Sequence, residues 1–438
     1  MRKLNTKFSS ALVAVAIALF SLLSGCSGGS SDANNSSAAL IQAANDGLVT
    51  LRQLATGSDF DFYGYKSESD IGKETLGAPL SIKTLDFEKL ISSESYSQSL
   101  IIDANEYLFP VFVNDETITS LRVGKLNDGS WGLVSTEADA NDFDLAEETI
   151  KTHNFYKASC YLVDLEEIEL LLLGCQRSGD LRLIPLYTPS EAFEIDKEYS
   201  FNEIIGPIKN ELLAQKGADP NAPTISGLLD LPSSDNQSVS IKVATPSPAS
   251  IEIDQSTKSS NLLAVPLIGQ SQGQWCWAAT AEMTMKFAAG TAPPQCSQAT
   301  KAQDTYKFSK QASKLDCCLS GNAGTKFCNN PWYPEYDKWA FQSQYYEKAP
   351  TWGDLKFLID SNKPLAFLWR WKPISDGNAH YMVAVGYKVV SGKQFVLYLD
   401  PYPVGKGKKV AIPFAEWLGG DSPNYDHVFG IYFSDISR

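Results

Sequence analysis

Apolar and polar residues recur with different periods along the chain, and these periods predict both helices and strands. Residues 37–55, SAALIQAANDGLVTLRQLA, carry apolar side chains at helical spacing. Residues 107–135 contain three short runs rich in β-branched and aromatic residues, with a turn signal at Asn114-Asp115. Further strand-like runs lie within residues 155–187. The first half of the chain is therefore predicted to be a small α+β domain.

The C-terminal part of the chain has helical patterns first and strand patterns later. A helix is predicted from Cys276 to about Ala289, where Gly290 can end it. The remaining segments are predicted helices at 296–313 and 351–364 and predicted strands at 365–372, 380–390, 393–400, 408–414 and 427–433. This order predicts a second α+β domain, in which a helix packs against an antiparallel sheet.

A segment rich in proline, serine, asparagine and aspartate separates the two patterned regions. Residues 217–260 have no clear hydrophobic period, which predicts an exposed linker that proteases can cut. A chain of 438 residues also exceeds the usual size of one hydrophobic core. We therefore expect an N-terminal domain at 38–216 and a C-terminal domain at 261–438.

The first 25 residues have the layout of an export signal. Three basic residues precede an apolar run from residue 11 to about residue 23, which is too short for a membrane span. The ending LLSGC resembles the lipobox of bacterial lipoproteins, in which Cys26 is lipidated and begins the mature chain. An ordinary secretory peptide is the alternative. We expect residues 26–37 to form a flexible tether.

The resemblance to a lipobox implies a location in the bacterial cell envelope. Ser27 follows the lipidated position, which favours the outer membrane where the organism has one. The anchored protein would then face the periplasm or the exterior. Cleavage within residues 217–260 would release the C-terminal domain.

The charge of the chain narrows the choice of partners. The formal net charge is −14, which argues against nucleic acid because phosphates would repel the protein. Most of the negative charge lies in residues 31–220, whereas residues 261–438 are slightly basic. Docking of the two halves on each other would explain this asymmetry, and a solvated acidic surface is the other explanation.

Cys276 is the strongest candidate for a nucleophile. It lies at the predicted N-terminus of a helix, where the helix dipole and unpaired backbone N–H groups favour a thiolate. Gln270 precedes it by six residues, and its side-chain amide could join the Cys276 N–H in binding a developing oxyanion.

A thiolate also needs a proton acceptor, and the chain contains three histidines. His380 begins a strand-like run that turns at Ser391-Gly392 and returns as a second strand ending at Asp400. Folding this hairpin brings the Asp400 carboxylate near His380, where it can orient the imidazole. The other two histidines, at positions 153 and 427, have no such partner pattern and are expected to be structural.

These residues together resemble the papain-like cysteine peptidases, in particular a bacterial branch with the pattern Q-x5-CWAA, H-Y-x-V-x-V-G-Y and a final DP. The resemblance covers residues 265–433. It implies that Cys276 is the nucleophile, His380 the general base and acid, Asp400 the orienting residue and Gln270 the oxyanion donor. It further implies a nucleophile helix packed on an antiparallel sheet, and a protein or peptide substrate. The plant and lysosomal pattern CGSCW is replaced by CWAA, so papain's substrate pockets are not transferable.

The eight cysteines divide in a way that leaves Cys276 unpaired. Cys26 is assigned to lipid, and Cys160 is expected to pair with Cys175 in an oxidising compartment. The four remaining cysteines are expected to form two disulfides of unspecified connectivity: Cys296, Cys317, Cys318 and Cys328. A zinc site is the alternative, but adjacent Cys317-Cys318 lacks the usual ligand spacing. We expect no metal and no cofactor.

The predicted function is that of an exported, lipid-anchored cysteine peptidase that uses a Cys-His-Asp triad. The same triad could pass its thioester to an amine, as in an acyltransferase or a transglutaminase-like enzyme. A non-enzymatic lipoprotein that retains the triad is a further alternative. The N-terminal domain is expected to be either a prodomain that blocks the cleft or a targeting or substrate-binding module.

Overall fold

The structure is a computed structural model of the chain. It describes residues 31–93, 95–126, 128–138, 142–165, 168–188, 190, 192–216, 258–304, 314–325, 327–346, 349–371, 379–419 and 427–438. The predicted signal peptide, Cys26 and most of the predicted linker, 217–257, lie outside these residues. None of the helices in the described part has the length and apolar character that crossing a membrane requires.

The described residues form eight α-helices and sixteen strands, so the fold is α+β as the sequence predicts. The helices are α1 (Ser31–Ala55), α2 (Phe87–Ser92), α3 (Asp142–Thr152), α4 (Phe201–Lys216), α5 (Cys276–Ala289), α6 (Gln295–Ala302), α7 (Trp352–Asp360) and α8 (Phe414–Leu418). The strands are β1 (Thr75–Leu76), β2 (Leu80–Leu85), β3 (Ile101–Val113), β4 (Glu116–Lys125), β5 (Trp131–Ala138), β6 (Cys160–Leu165), β7 (Leu170–Arg177), β8 (Asp180–Tyr187), β9 (Tyr199–Ser200), β10 (Ser260–Leu262), β11 (Gln342–Tyr346), β12 (Leu365–Trp371), β13 (Ala379–Val390), β14 (Lys393–Asp400), β15 (Lys408–Pro413) and β16 (His427–Ser437).

Helix α1 begins earlier than the sequence analysis expects. Its first residue is Ser31, so residues 31–37 of the predicted flexible tether belong to a helix. Residues 31–37, SDANNSS, contain only one strong helix former, so this segment extends the amphipathic helix that follows it rather than forming through its own propensity. Residues 26–30 of the predicted tether lie outside the described residues.

All the strands belong to one sheet, with the order β11-β16-β12-β13-β14-β15-β5-β4-β3-β2-β6-β7-β8-β9 along its main path. Every pairing is antiparallel except that between β2 and β6. Strands β5 and β15 pair through Val410 opposite Glu137, which joins the two regions that the sequence analysis treats as separate domains. Accordingly, residues Ala43–Arg438 group into one compact unit, and residues 31–42 are the first turns of α1.

Buried charges hold the two halves of the sheet together at this junction. The Lys408 ammonium lies 3.3 Å from the Glu137 carboxylate, and both side chains are buried. The Arg122 guanidinium lies 3.3 Å from the same carboxylate. Burial alone would raise the pKa of Glu137, but Lys408 and Arg122 lower it to about 2. Glu137 therefore stays ionised, and its charge is compensated from both halves.

A second lysine ties the end of α1 to the C-terminal half. The Lys388 ammonium on β13 donates hydrogen bonds to the carbonyl oxygens of Leu54 at 2.6 Å and Thr56 at 2.8 Å. The last carbonyls of a helix lack partners within the helix and carry partial negative charge, so a cation there is stabilising. The N-terminal half thus contacts the C-terminal half through both its sheet and its first helix.

The core of the C-terminal half positions α5. Its buried residues include Trp277, Ala278, Ala281 and Met285, and the helix packs against β13 and β16. The helix ends at Gly290, whose φ of 72° lies in the left-handed region that glycine adopts without steric cost. The expected arrangement of a helix on an antiparallel sheet is therefore present.

Candidate active site

Cys276 is the first residue of α5 and is the free cysteine among the described residues. Because the first N–H groups of a helix have no partner within the helix, its backbone N–H can serve a ligand or an intermediate. The other described cysteines form the disulfides Cys160–Cys175, Cys296–Cys318 and Cys317–Cys328. The last two specify the connectivity that the sequence left open.

The two tryptophans beside Cys276 anchor the start of the helix. The Trp275 indole N–H donates to the Cys328 carbonyl at 2.7 Å, and the Trp277 indole N–H donates to the Asn330 carbonyl at 3.1 Å. Cys328 is itself held by its disulfide to Cys317. Both indoles are buried, so they hold the thiol in place through hydrogen bonds and packing rather than by exposing an aromatic surface.

His380 and Asp400 meet across the β13–β14 hairpin. The strands turn at Ser391-Gly392, and Val383 pairs with Leu399, so the register agrees with the predicted hairpin. The His380 Nε2 atom lies 2.6 Å from an Asp400 carboxylate oxygen. The same oxygen accepts the Tyr402 backbone N–H at 2.8 Å, which fixes the carboxylate against the loop that follows β14.

The Cys276 side chain interacts with the His380 imidazole and contributes to its pKa. Since Asp400 occupies Nε2, the other ring nitrogen, Nδ1, remains for the sulfur. Burial alone would lower the pKa of His380, but Asp400 and then Cys276 raise it well above its usual value. The arrangement favours a protonated imidazole beside the sulfur, which is the charge state that stabilises a thiolate.

Gln270 lies in the same site but is already engaged. It is fully buried, and its side-chain Nε2 donates to the carbonyl oxygens of Gly273 at 2.7 Å and Gln272 at 3.1 Å. The same nitrogen lies 3.1 and 3.3 Å from the two carboxyl oxygens of Glu169. Its role as an oxyanion donor stays a prediction, because its two N–H groups are shared among these acceptors.

The backbone of Gln270 is held by the loop that follows Asp400. Its N–H donates to the Pro401 carbonyl at 2.9 Å, and its carbonyl accepts the Gly405 N–H at 2.7 Å. The approach is so close that a Cβ at Gly269 would lie 2.4 Å from the Lys406 nitrogen. Glycine at position 269 is therefore a steric requirement of this contact.

Gln295 is a supporting residue that the sequence analysis missed. Its side-chain oxygen accepts the Ser271 backbone N–H at 2.7 Å, and its side-chain nitrogen donates to the Gly269 carbonyl at 3.0 Å. One buried amide thus holds both residues that flank Gln270. Its sequence position, at the start of a short helix, contains no signal of this role.

Glu169 is the second residue that the sequence analysis missed, and it comes from the N-terminal half. It lies in the turn between β6 and β7, where its carboxyl group contacts Gln270 and interacts electrostatically with His380 and Asp400. Burial raises the pKa of Glu169 to about 8, with a further increase from Asp400 and opposing effects of His380 and Gln270. A perturbed carboxyl group in this location belongs to the candidate site.

The remaining histidines have structural partners of their own. The His427 ring stacks on Trp369 with a centroid distance of 3.8 Å. The His153 ring nitrogens lie 2.9 Å from carboxylate oxygens of Glu198 and Asp196. Within the described ranges, no group of three or more histidine, cysteine, aspartate or glutamate side chains is arranged to hold a metal ion.

Comparisons with known proteins support a peptidase in the C-terminal half. Residues 262–419 match the sequence model of the Peptidase_C39 like family, and this range contains Gln270, Cys276, His380 and Asp400. No curated protein sequence matches the chain significantly. One similar solved structure is titled "Structural basis for the limited antibody cross reactivity between the mite allergens Blo t 1 and Der p 1". It is 11% identical, covers 43% of this chain and 73% of its own, and has a TM-score of 0.28. At that TM-score the likeness does not define the fold, so the family match is the finding that points to a peptidase.

Proposed function

We propose that the protein is a cysteine peptidase that hydrolyses peptide bonds with Cys276, His380 and Asp400. The observation that carries the proposal is a free thiol at a helix N-terminus that interacts with an imidazole, which a buried carboxylate orients through a 2.6 Å hydrogen bond. Each member has the chemical type and the neighbour that nucleophilic catalysis requires. The family match over residues 262–419 supports the same activity.

The proposed mechanism has two steps. The Cys276 thiolate attacks the peptide carbonyl carbon, and the oxyanion that forms is bound by the Cys276 N–H and the Gln270 amide. His380 then protonates the leaving amine, and a thioester remains on the sulfur. In the second step His380 takes a proton from water, whose oxygen attacks the thioester carbon. The carbon–sulfur bond then breaks, which releases the acid product and restores the thiolate beside the imidazolium.

We also propose that the N-terminal half inhibits this activity. Cys276, His380 and Asp400 are each less than a tenth exposed, and Gln270 has no exposed surface. A residue of the N-terminal half, Glu169, uses the amide that the mechanism assigns to the oxyanion. A substrate carbonyl needs the same donor, so this arrangement favours a latent form.

Export and lipid anchoring at Cys26 complete the proposal. The sequence features that support them are the signal-like segment at 1–25 and the lipobox-like ending at Cys26. The three disulfides agree with an oxidising compartment outside the cytoplasm.

Removing the nucleophile or the base should abolish hydrolysis. We expect Cys276→Ser and His380→Gln each to reduce kcat/KM on a fluorogenic peptide library by roughly 10³-fold or more, because triad members act as a unit. His153→Gln is the matched control, since that imidazole pairs with surface carboxylates, and it should retain activity. Unchanged hydrolysis by the Cys276 variant would overturn the proposed mechanism.

Asp400→Asn should move the alkaline limit of activity to lower pH. The carboxylate raises the pKa of His380, so its removal lets the imidazolium lose its proton at a lower pH. We expect the alkaline limb of kcat/KM to shift downward by roughly 1–3 pH units, and the pH dependence of iodoacetamide alkylation of Cys276 to shift with it. An alkaline limb in the same place as in the wild type would contradict the orienting role.

Deleting the N-terminal half should activate the enzyme. A chain that starts at Lys258 retains β10, which pairs with β13. We expect its kcat/KM to exceed that of the full chain by about tenfold or more, because one blocked oxyanion donor alone reduces kcat by about 10²-fold. Circular dichroism and thermal melting check that the shorter chain is folded. A folded chain without any gain in activity argues against inhibition by the N-terminal half.

Cys26→Ala should release the protein from membranes. In a bacterial host supplied with a clickable palmitate analogue, we expect the wild type to be labelled and to sediment with membranes, and the variant to do neither. Cys276→Ala serves as the control, because it removes a cysteine that is buried rather than lipidated. This variant should be labelled and should sediment like the wild type. Equal labelling of the wild type and the Cys26 variant would exclude this residue as the lipid attachment site.

A further inference from the structure

We infer that Glu169 is an internal inhibitor, whose carboxyl group occupies the oxyanion-binding position beside Gln270 and whose occupancy of that position depends on pH. The inference rests on the proposed peptidase function and specifies how the same site is regulated. The inhibited form holds Glu169 against Gln270, and the active form has this amide free for substrate.

The geometry of the contact resembles that of a bound reaction product. Both carboxyl oxygens of Glu169 lie within hydrogen-bonding range of one Gln270 nitrogen, at 3.1 and 3.3 Å. Hydrolysis of a peptide bond yields a carboxyl group whose oxygens must occupy this same region. An internal carboxyl group here therefore competes with the substrate carbonyl, the tetrahedral intermediate and the product acid.

Glu169 lies directly before β7, in the turn that joins β6 to β7. Its φ of 50° is in the left-handed region, which is uncommon for a residue with a side chain. The neighbouring residues Ile168 and Leu170 are buried in the apolar core of the N-terminal half. The Cys160–Cys175 disulfide links β6 and β7, the two strands that this turn joins. The two buried neighbours therefore hold the backbone of Glu169 beside Gln270.

A second contact of the N-terminal half lies next to the first. The Tyr187 ring packs edge-on against Tyr402 with a centroid distance of 4.9 Å, and its hydroxyl accepts the Val404 backbone N–H. Tyr402 also donates its own backbone N–H to Asp400. The N-terminal half therefore contacts the loop that holds the triad carboxylate as well as the oxyanion donor.

The surroundings of Glu169 make this contact sensitive to pH. The titratable groups that interact with its carboxyl group are His380 and Asp400 from the hairpin, Tyr402 from the following loop and Tyr187 from β8. Burial raises the pKa of Glu169 from 4.5 to about 8, so the docked carboxyl group keeps a proton through neutral pH. A raised pKa means that the docked form is fully stabilised below about pH 4.5 and loses this stabilisation as the pH rises through about 8. Each pH unit in that interval weakens docking by up to about tenfold.

Two substitutions at position 169 separate the charge from the steric block. Glu169→Gln keeps the shape and an acceptor for Gln270 but cannot ionise, so it should remain inhibited at all pH values. Glu169→Gly removes the side chain at a position with positive φ, so it should be uninhibited at all pH values. The wild type should behave like the glutamine variant near pH 5.5 and approach the glycine variant near pH 8.5.

The readouts are kcat/KM on the fluorogenic peptide library and the affinity for a mixture of N-acetyl-dipeptide aldehydes. An aldehyde forms a sulfur–carbon bond with Cys276 while its oxygen becomes an alkoxide that needs the same donors or a proton from His380. At pH 5.5 we expect Glu169→Gly to bind the aldehydes about 10- to 100-fold more tightly than the wild type. Glu148→Gln is the matched control, because Glu148 is an exposed glutamate of the same half. This variant should bind the aldehydes with the same affinity as the wild type.

The outcomes distinguish this inference from the proposed function. No gain in aldehyde affinity for Glu169→Gly at pH 5.5 overturns the inference, whether or not peptides are hydrolysed. A gain in aldehyde affinity without hydrolysis by any variant supports the inference and refutes the peptidase. If the ratio of the wild-type kcat/KM to that of Glu169→Gln stays constant between pH 5.5 and 8.5, the pH dependence is overturned. Equal melting temperatures of the variants and the wild type exclude unfolding as the cause of a gain in affinity.

Discussion

The hydrogen bond between His380 and Asp400 is the interaction on which the candidate site depends. It lies at one end of a hairpin, so the strand register that pairs Val383 with Leu399 also sets the distance between imidazole and carboxylate. The same carboxylate accepts the Tyr402 N–H, and the loop beyond it holds the backbone of Gln270. The end of one strand thereby positions His380 and Asp400, the proposed base and orienting acid, together with the loop that holds Gln270.

The parts of this site that the sequence predicts are those set by local geometry. His380 and Asp400 are 20 residues apart on one hairpin, whose turn contains Ser391-Gly392 in the left-handed conformation that such turns require. Cys276 begins a helix because an apolar, alanine-rich run follows it and a glycine ends it. The Cys160–Cys175 disulfide likewise joins neighbouring strands only 15 residues apart. The periods of apolar residues along strands and helices were sufficient to predict the position of each of these features.

The parts that could not be predicted depend on contacts between distant segments. Gln270 and Glu169 are 101 residues apart, and nothing in the residues around Glu169 distinguishes it from other acidic turn residues. Strands β5 and β15 join through backbone hydrogen bonds, which any pair of extended segments can form and which leave little trace in side-chain pattern. The acidic character of the N-terminal half was the one sequence feature that indicated contact between the halves, and Glu137 does pair with Lys408 across their junction.

Ionising a carboxyl group that has lost part of its hydration is unfavourable, and this property suits the reversible block proposed for Glu169. A neutral amide or a hydrophobic side chain in the same position would be stabilised equally at every pH. A carboxyl group occupies the position without penalty only while it holds a proton, and ionisation makes the same burial unfavourable. Glu137, in contrast, is buried beside Lys408 and Arg122, so it stays ionised and holds the two halves together. The interface between the two halves thus contains the buried Glu137 and the half-buried Glu169. The neighbours of Glu137 give it a permanent structural contact, whereas the proposed contact of Glu169 is conditional on pH.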